Sequence, residues 1–115
     1  MNYVYLIGNK SVGVYKIGAT KSVEKRLKTN QTSCPYVLET ICSFPSEYAY
    51  KIERLLHKDF NQFKKDENDN DIRGEWFVFS QQQIDVFLTK CQSYHNNFQY
   101  LKDANNPFFH KELKK

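Results

Sequence analysis

No long apolar run occurs in this chain of 115 residues, and no segment has the composition of a secretory signal. We therefore expect neither a membrane-spanning helix nor export. The three cysteines, Cys34, Cys42 and Cys91, are odd in number, and no pair has the spacing of a metal site. Reduced thiols in an intracellular protein are expected, in the cytoplasm or, for a eukaryotic or viral source, in the nucleus.

A strong charge of one sign is also lacking, because 17 basic residues stand against 13 acidic ones and the net charge is +4. This balance permits a polyanionic partner but does not require one. The length predicts a single domain, and no internal repeat, helix-turn-helix or zinc finger is recognisable. Aromatic residues are plentiful at 16%, and their plainest role is to fill a compact core.

A hairpin is predicted at the start of the chain. Residues 2–7 and 14–18 are rich in aromatic and β-branched residues, and the loop between them has glycine at both ends. Side chains alternate between the two faces of a sheet. A symmetric hairpin pairs Ile7 with Val14, Tyr5 with Lys16 and Tyr3 with Gly18. One face is then apolar (Val4, Leu6, Tyr15 and Ile17), and the other carries Tyr3, Tyr5 and Lys16.

The periodicity of apolar residues predicts further elements. They are helices at roughly 22–31, 46–63 and 81–94, and strands at 37–44 and 76–79. Thr20 or Ser22 is expected to cap the first helix and Ser80 the last, in which Leu88 is expected to face inward.

The order of these elements predicts an α+β fold, a small and mostly antiparallel sheet with a β-β-α-β-α core flanked by helices. We expect residues 1–95 to form the domain and residues 96–115 a partly ordered tail. His95 and His110 lie at or within this tail and have no predicted partner.

Five pieces of sequence, in this order, resemble the GIY-YIG nuclease superfamily. They are Val4-Tyr5-Leu6-Ile7, Lys16-Ile17-Gly18-Ala19-Thr20, Arg26-Leu27, Ile52-Glu53-Arg54-Leu55-Leu56-His57 and Gly74-Glu75-Trp76-Phe77. The last piece, and Lys-Ile-Gly in the second, resemble a minimal branch found in bacteria, phages and large DNA viruses. The resemblance covers roughly residues 3–79. It implies hydrolysis of DNA phosphodiester bonds with one divalent cation, Mg²⁺ or Mn²⁺.

The resemblance also implies roles for individual residues. Tyr5 matches the general base for water, Lys16 falls at the position of the second motif tyrosine, Arg26 matches the catalytic arginine and Glu53 the metal-binding carboxylate. From the chemistry of their side chains we expect Lys16 and Arg26 to stabilise phosphate charge. His57, one helical turn after Glu53, is a further catalytic candidate. Substrate-binding residues are expected at Tyr3, Tyr15, Gly18, Thr20 and Asn30. The expected partner is DNA, duplex or branched, and a homodimer is one way in which such an enzyme could cut both strands.

The chemistry of these residue types agrees with the resemblance. Phosphodiester hydrolysis needs a base, stabilisation of charge on the phosphate and help for the leaving oxygen. A nearby cation favours the deprotonated form of a phenol, so we hypothesise that Lys16 both contacts the phosphate and makes Tyr5 more acidic. Taken singly, each residue also has a structural explanation, such as an edge salt bridge for Glu53. Two alternatives therefore stay open: a weakly active or inactive nucleic-acid-binding module on the same fold, and a protein-interaction domain.

Overall fold

The computed structural model of the protein describes residues 2–32, 34–63 and 76–104. Its elements are β1 (Tyr3–Asn9), β2 (Val14–Thr20), α1 (Val23–Thr32), β3 (Glu39–Pro45), α2 (Ala49–Asp59), a 3₁₀ turn (Asn61–Phe63), β4 (Trp76–Val78) and α3 (Gln81–Asp103). The four strands form one antiparallel sheet in the order β3-β1-β2-β4. The predicted α+β fold is confirmed. Across the described ranges, no helix combines the length and the apolar character that a membrane span requires.

Side chains along β1 and β2 point alternately to the two faces of the sheet, and both faces are buried. One face packs against α2 and α3, and its strand residues are Val4, Leu6, Tyr15, Ile17 and Ala19. The other face holds Tyr5, Ile7, Val14 and Trp76, with Val23 and Leu27 of α1 packed against them. The predicted division of the hairpin into two faces is confirmed, and both faces are covered.

The predicted register of the hairpin is wrong by two residues. The observed pairs include Tyr3–Thr20, Tyr5–Gly18, Ile7–Lys16 and Asn9–Val14. The turn is tighter than a symmetric reading of the glycines predicts, because β1 continues to Asn9, whose carbonyl oxygen accepts a hydrogen bond from the Gly13 N–H at 2.8 Å. Gly13 has a φ of +80°, which glycine adopts without steric cost. A shift of two residues leaves every side chain on its predicted face.

The helices differ from their predicted ends. Ser22 caps α1 as expected, since its Oγ accepts from the Lys25 N–H at 3.4 Å. At the start of α3, the Ser80 N–H donates to Gln83 Oε1 at 2.8 Å. α2 is shorter than the predicted helix at both ends, because the chain turns around Ser46 before it and enters a 3₁₀ turn after it.

α3 is longer than predicted and runs to Asp103. In its second half the buried side, formed by Cys91, Tyr94, Phe98 and Leu101, keeps helical spacing among mainly polar residues. The predicted domain boundary at residue 95 falls inside α3, and Phe98, beyond it, belongs to the core at 8% exposure. Leu88 was predicted to face inward, which is wrong, because 42% of it is exposed.

His95 does have a partner, contrary to the prediction. Its Nδ1 lies 2.7 Å from Ser46 Oγ, and this contact joins α3 to the turn before α2. The three cysteines form no disulfide, as expected. His110 lies outside the described residues, and so does the Gly74-Glu75 part of the last of the five sequence pieces.

Candidate active site

Three consecutive residues of β2, Lys16-Ile17-Gly18, are the centre of the candidate site. Tyr5 lies opposite Gly18 on β1 and is only 2% exposed. Its ring passes directly over Gly18, so a Cβ added at residue 18 would overlap the Tyr5 Oη and Cζ atoms. Glycine is therefore required at this position for the Tyr5 phenol to lie where it does.

His57 and Glu53 approach β2 from α2, which packs on the other face of the sheet. His57 Nε2 lies 3.0 Å from the carbonyl oxygen of Ile17, so in this geometry Nε2 carries the hydrogen and donates it. The Glu53 carboxylate, one helical turn earlier, has its Oε2 4.0 Å from His57 Nε2. The Glu53 side chain is 24% exposed and the His57 side chain is 12% exposed, so both are partly protected from water.

Lys16 is positioned by α1 and β4. Its Nζ donates to Asn30 Oδ1 at 3.2 Å and lies 5.8 Å from the centroid of the Trp76 ring, within cation–π range. Asn30, expected to bind substrate, is buried at 7% exposure and orients this ammonium group. The sequence did not reveal that Trp76 also supports Lys16, because this contact depends on β4 pairing with β2.

The predicted direct opposition of Tyr5 and Lys16 is wrong. Lys16 lies opposite Ile7, and Tyr5 lies opposite Gly18. Lys16 is thus a diagonal neighbour of Tyr5 on the same face, farther from it than a directly opposed residue would be. The effect of Lys16 on the acidity of Tyr5 stays a prediction, because both side chains are long enough to meet across a diagonal pair.

The remaining predicted residues divide between the two faces. Tyr3 and Thr20 face each other across the hairpin, on the Tyr5 side, and the Thr20 hydroxyl accepts from the Ser22 N–H at 3.1 Å. Arg26 is exposed on α1, and within the described ranges it has no ion-pair partner. An exposed guanidinium without such a partner is available to a phosphate group.

Tyr15 does not join the other residues. It lies on the opposite face, is 2% exposed and stacks on Phe79 with ring centroids 5.8 Å apart. Burial, and secondarily the negative charge of Glu39, raises the pKa of its hydroxyl above the usual range. Tyr15 therefore stays protonated in the core near neutral pH.

The donor set fits one hard divalent cation held largely by oxygen atoms from outside the protein. Mg²⁺ commonly binds one or two carboxylates and fills its other positions with water and phosphate oxygens. The partly exposed carboxylate of Glu53 suits this arrangement. In residues 2–32, 34–63 and 76–104, no group of three or more His, Cys, Asp or Glu side chains is placed to hold a metal ion. A cage made only of protein ligands is thus not present in these ranges.

Comparison with known proteins identifies one family. Residues 2–92 match the T5orf172 domain, which is a nuclease-associated domain with possible DNA-binding function. This match spans the hairpin, α1, β3, α2, β4 and the first half of α3. No curated protein and no solved structure gave a significant match. The nuclease-like character implied by the sequence is therefore shown at the level of the family.

Proposed function

Because the chain belongs to the T5orf172 domain family, we propose that it is a GIY-YIG-type endonuclease that hydrolyses DNA phosphodiester bonds with one divalent cation. One observation carries the proposal. Tyr5 and His57 contact adjacent residues of β2, Gly18 and Ile17, and Glu53 lies beside His57. Because consecutive Cα atoms are about 3.8 Å apart, groups from β1 and α2 reach the same part of β2, Tyr5 from the α1 face of the sheet and His57 from the α2 face.

Each residue then has a separate chemical role. In its deprotonated form Tyr5 takes a proton from the attacking water and becomes a neutral phenol, while Arg26 and Lys16 stabilise the negative charge that grows on the phosphoryl oxygens. Asn30 holds the Lys16 ammonium toward the Tyr5 face. Glu53 would hold the divalent cation, which supplies positive charge at the phosphoryl and leaving oxygens when it is bound. His57, fixed by the Ile17 carbonyl, keeps the Glu53 side of the site in position.

Nicking of supercoiled plasmid DNA in Mg²⁺ or Mn²⁺ tests this function. We expect wild-type protein to nick the plasmid, and Glu53→Gln, Arg26→Gln and Tyr5→Phe each to lower the rate by about 100-fold or more, as when one group that stabilises a transition state is removed. Glu47→Gln is the matched control for Glu53→Gln. Glu47 is 51% exposed and pairs with Lys102 at 3.4 Å, so its loss should leave nicking within about twofold of wild type.

The same assay separates an enzyme from a binding module. If wild-type protein binds DNA but nicks it with neither cation, the proposed hydrolysis is wrong and the alternative of an inactive DNA-binding domain is favoured. If Glu47→Gln and Glu53→Gln lose activity equally, the assignment of Glu53 is wrong. Thermal unfolding of every variant shows whether a lost activity reflects a lost fold.

A further inference from the structure

One exposed face of α2 carries an aromatic residue and two cations on successive turns. Tyr50, Arg54 and Lys58 are spaced four residues apart, so they align along the helix, and we call them the Tyr50 strip. Tyr50 is 52% exposed, and Arg54 and Lys58 are also exposed. Neither cation forms an ion pair with any residue of the described ranges. The strip therefore presents positive charge and one ring face to solvent.

The Tyr50 strip borders the candidate active site. Tyr50 precedes Glu53 by three residues, and Arg54 precedes His57 by three, a spacing that makes side chains neighbours on a helix surface. Ile52 and Leu56, on the buried side of α2, hold the helix against the sheet with no exposed surface. The strip thus lies beside the Glu53–His57 pair on the surface of α2.

The combination fits an unpaired strand of DNA. Arginine and lysine contact backbone phosphates, and an exposed aromatic ring stacks on a base whose face is free. In a perfect duplex the base faces are stacked on each other, so only the cations of the strip would find partners there. A single strand offers both kinds of contact in one stretch.

We propose that the Tyr50 strip binds a single-stranded segment of DNA next to the cleavage position, so that the substrate is DNA carrying an unpaired stretch. This inference rests on the proposed nuclease function and adds the substrate class. A phosphate-only contact by Arg54 and Lys58 would make the strip a non-specific duplex surface. That outcome is distinguished by a probe that has phosphates but no bases.

Binding measured without divalent cations tests the strip independently of cleavage. The probes are a fluorescent ten-residue oligo-dT and an abasic strand of the same length, in buffer with EDTA. We expect Tyr50→Ala to weaken oligo-dT binding by about 5- to 20-fold, because one stacked base is lost. Its affinity for the abasic strand should stay within about twofold of wild type. Tyr100→Ala, which removes a tyrosine that is 69% exposed on α3, is the control and should bind both probes like wild type.

Arg54 and Lys58 should affect binding differently from Tyr50, because they contact phosphates and not bases. Arg54→Gln and Lys58→Gln should weaken binding of both probes, and each should reduce the slope of log affinity against log salt by about 0.7, the value for one phosphate contact on a single strand. Lys102→Gln, at the end of α3, removes the same charge and should leave the slope unchanged. The inference is overturned if Tyr50→Ala binds oligo-dT like wild type, or if Tyr100→Ala loses as much affinity.

Cleavage of two substrates of identical sequence, a duplex and a duplex with a single-stranded flap, links the strip to the reaction. We expect wild-type protein to prefer the flapped substrate by about fivefold or more, and Tyr50→Ala to lose most of this preference. Equal cleavage of both substrates by wild type would contradict the inference but not the nuclease function. Tyr50-dependent binding with no cleavage of any substrate would contradict the nuclease function but not the strip.

Discussion

At the scale of single residues, Gly18 contributes to the site by lacking a side chain. The Tyr5 ring occupies the space where a Cβ would lie. Tyr5 is also among the largest fully buried side chains, so its ring cannot move aside into solvent. The position of the proposed base thus depends on a glycine on the neighbouring strand.

The cost of filling this space can be measured. We expect Gly18→Ala to lower the free energy of unfolding by about 1–3 kcal/mol, the usual cost of overpacking, and to displace the Tyr5 phenol. In a Tyr5→Leu background the same substitution should cost clearly less, because leucine ends before the overlapping ring atoms. Urea unfolding of wild type, Gly18→Ala, Tyr5→Leu and the double variant gives the cost of Gly18→Ala with and without the Tyr5 ring. If the effects of the two substitutions on the free energy of unfolding are additive, the Tyr5 ring and a side chain at residue 18 do not clash.

At the scale of elements, α2 is held in place from two sides. On one flank His57 donates to the Ile17 carbonyl oxygen of β2. On the other flank Lys51 Nζ lies 5.3 Å from the centroid of the Phe98 ring of α3, and Asp59 accepts a hydrogen bond from the Tyr94 hydroxyl. Because α3 contacts α2 on the flank away from the site, the second half of α3 contributes to where Glu53 lies.

Two aromatic residues near the end of α3 test this dependence. Phe98 is 8% exposed and packs on Tyr48, with ring centroids 5.7 Å apart, whereas Tyr100 is 69% exposed. We expect Phe98→Ala to lower the free energy of unfolding by about 3 kcal/mol, as for other buried aromatic residues. Tyr100→Ala should change it by less than about 0.5 kcal/mol. Similar effects of the two substitutions in urea unfolding would show that α3 beyond residue 95 does not belong to the folded core.

At the scale of the whole molecule, alkaline pH weakens the packing that joins α2 to α3. Burial, together with the hydrogen bond to Asp59, raises the pKa of Tyr94 to about 12. Burial and the nearby Glu47 carboxylate raise the pKa of Tyr48 to about 12 as well. Both hydroxyls are therefore protonated in the folded protein at a pH where an unfolded tyrosine, with a pKa of about 10, already ionises.

The sign of the effect follows from proton linkage. Between about pH 10 and 12 the folded state binds more protons than the unfolded state, so stability is fully present below pH 10 and falls as the pH rises. We expect Tyr94→Phe to be less stable than wild type at pH 7, by about 1 kcal/mol, because the hydrogen bond to Asp59 is lost. Above pH 10 its stability should fall less steeply, and Tyr100→Phe should keep the wild-type slope. Urea unfolding midpoints of wild type, Tyr94→Phe and Tyr100→Phe, recorded from pH 7 to 11.5, measure how stability depends on pH. An equally steep fall in stability above pH 10 in all three proteins would contradict the prediction.

The sequence by itself determined which stretches are strands and helices and which side chains of the hairpin share a face. Periods of two and of about 3.6 residues follow from local backbone geometry. A resemblance to a known nuclease pattern, rather than periodicity, identified Tyr5, Lys16, Arg26, Glu53 and His57 as candidate site residues. The second half of α3 was missed, although Cys91, Tyr94, Phe98 and Leu101 continue the apolar positions at helical spacing among polar residues.

Only the tertiary structure decided how strands and helices meet. A register shift of two residues leaves the alternation unchanged, so no pattern of apolar residues could show that Tyr5 lies over Gly18 rather than beside Lys16. The contacts of His57 with Ile17 and of Lys16 with Trp76 join residues 40 and 60 positions apart. Such contacts depend on the packing of whole elements against each other, which local periodicity does not contain.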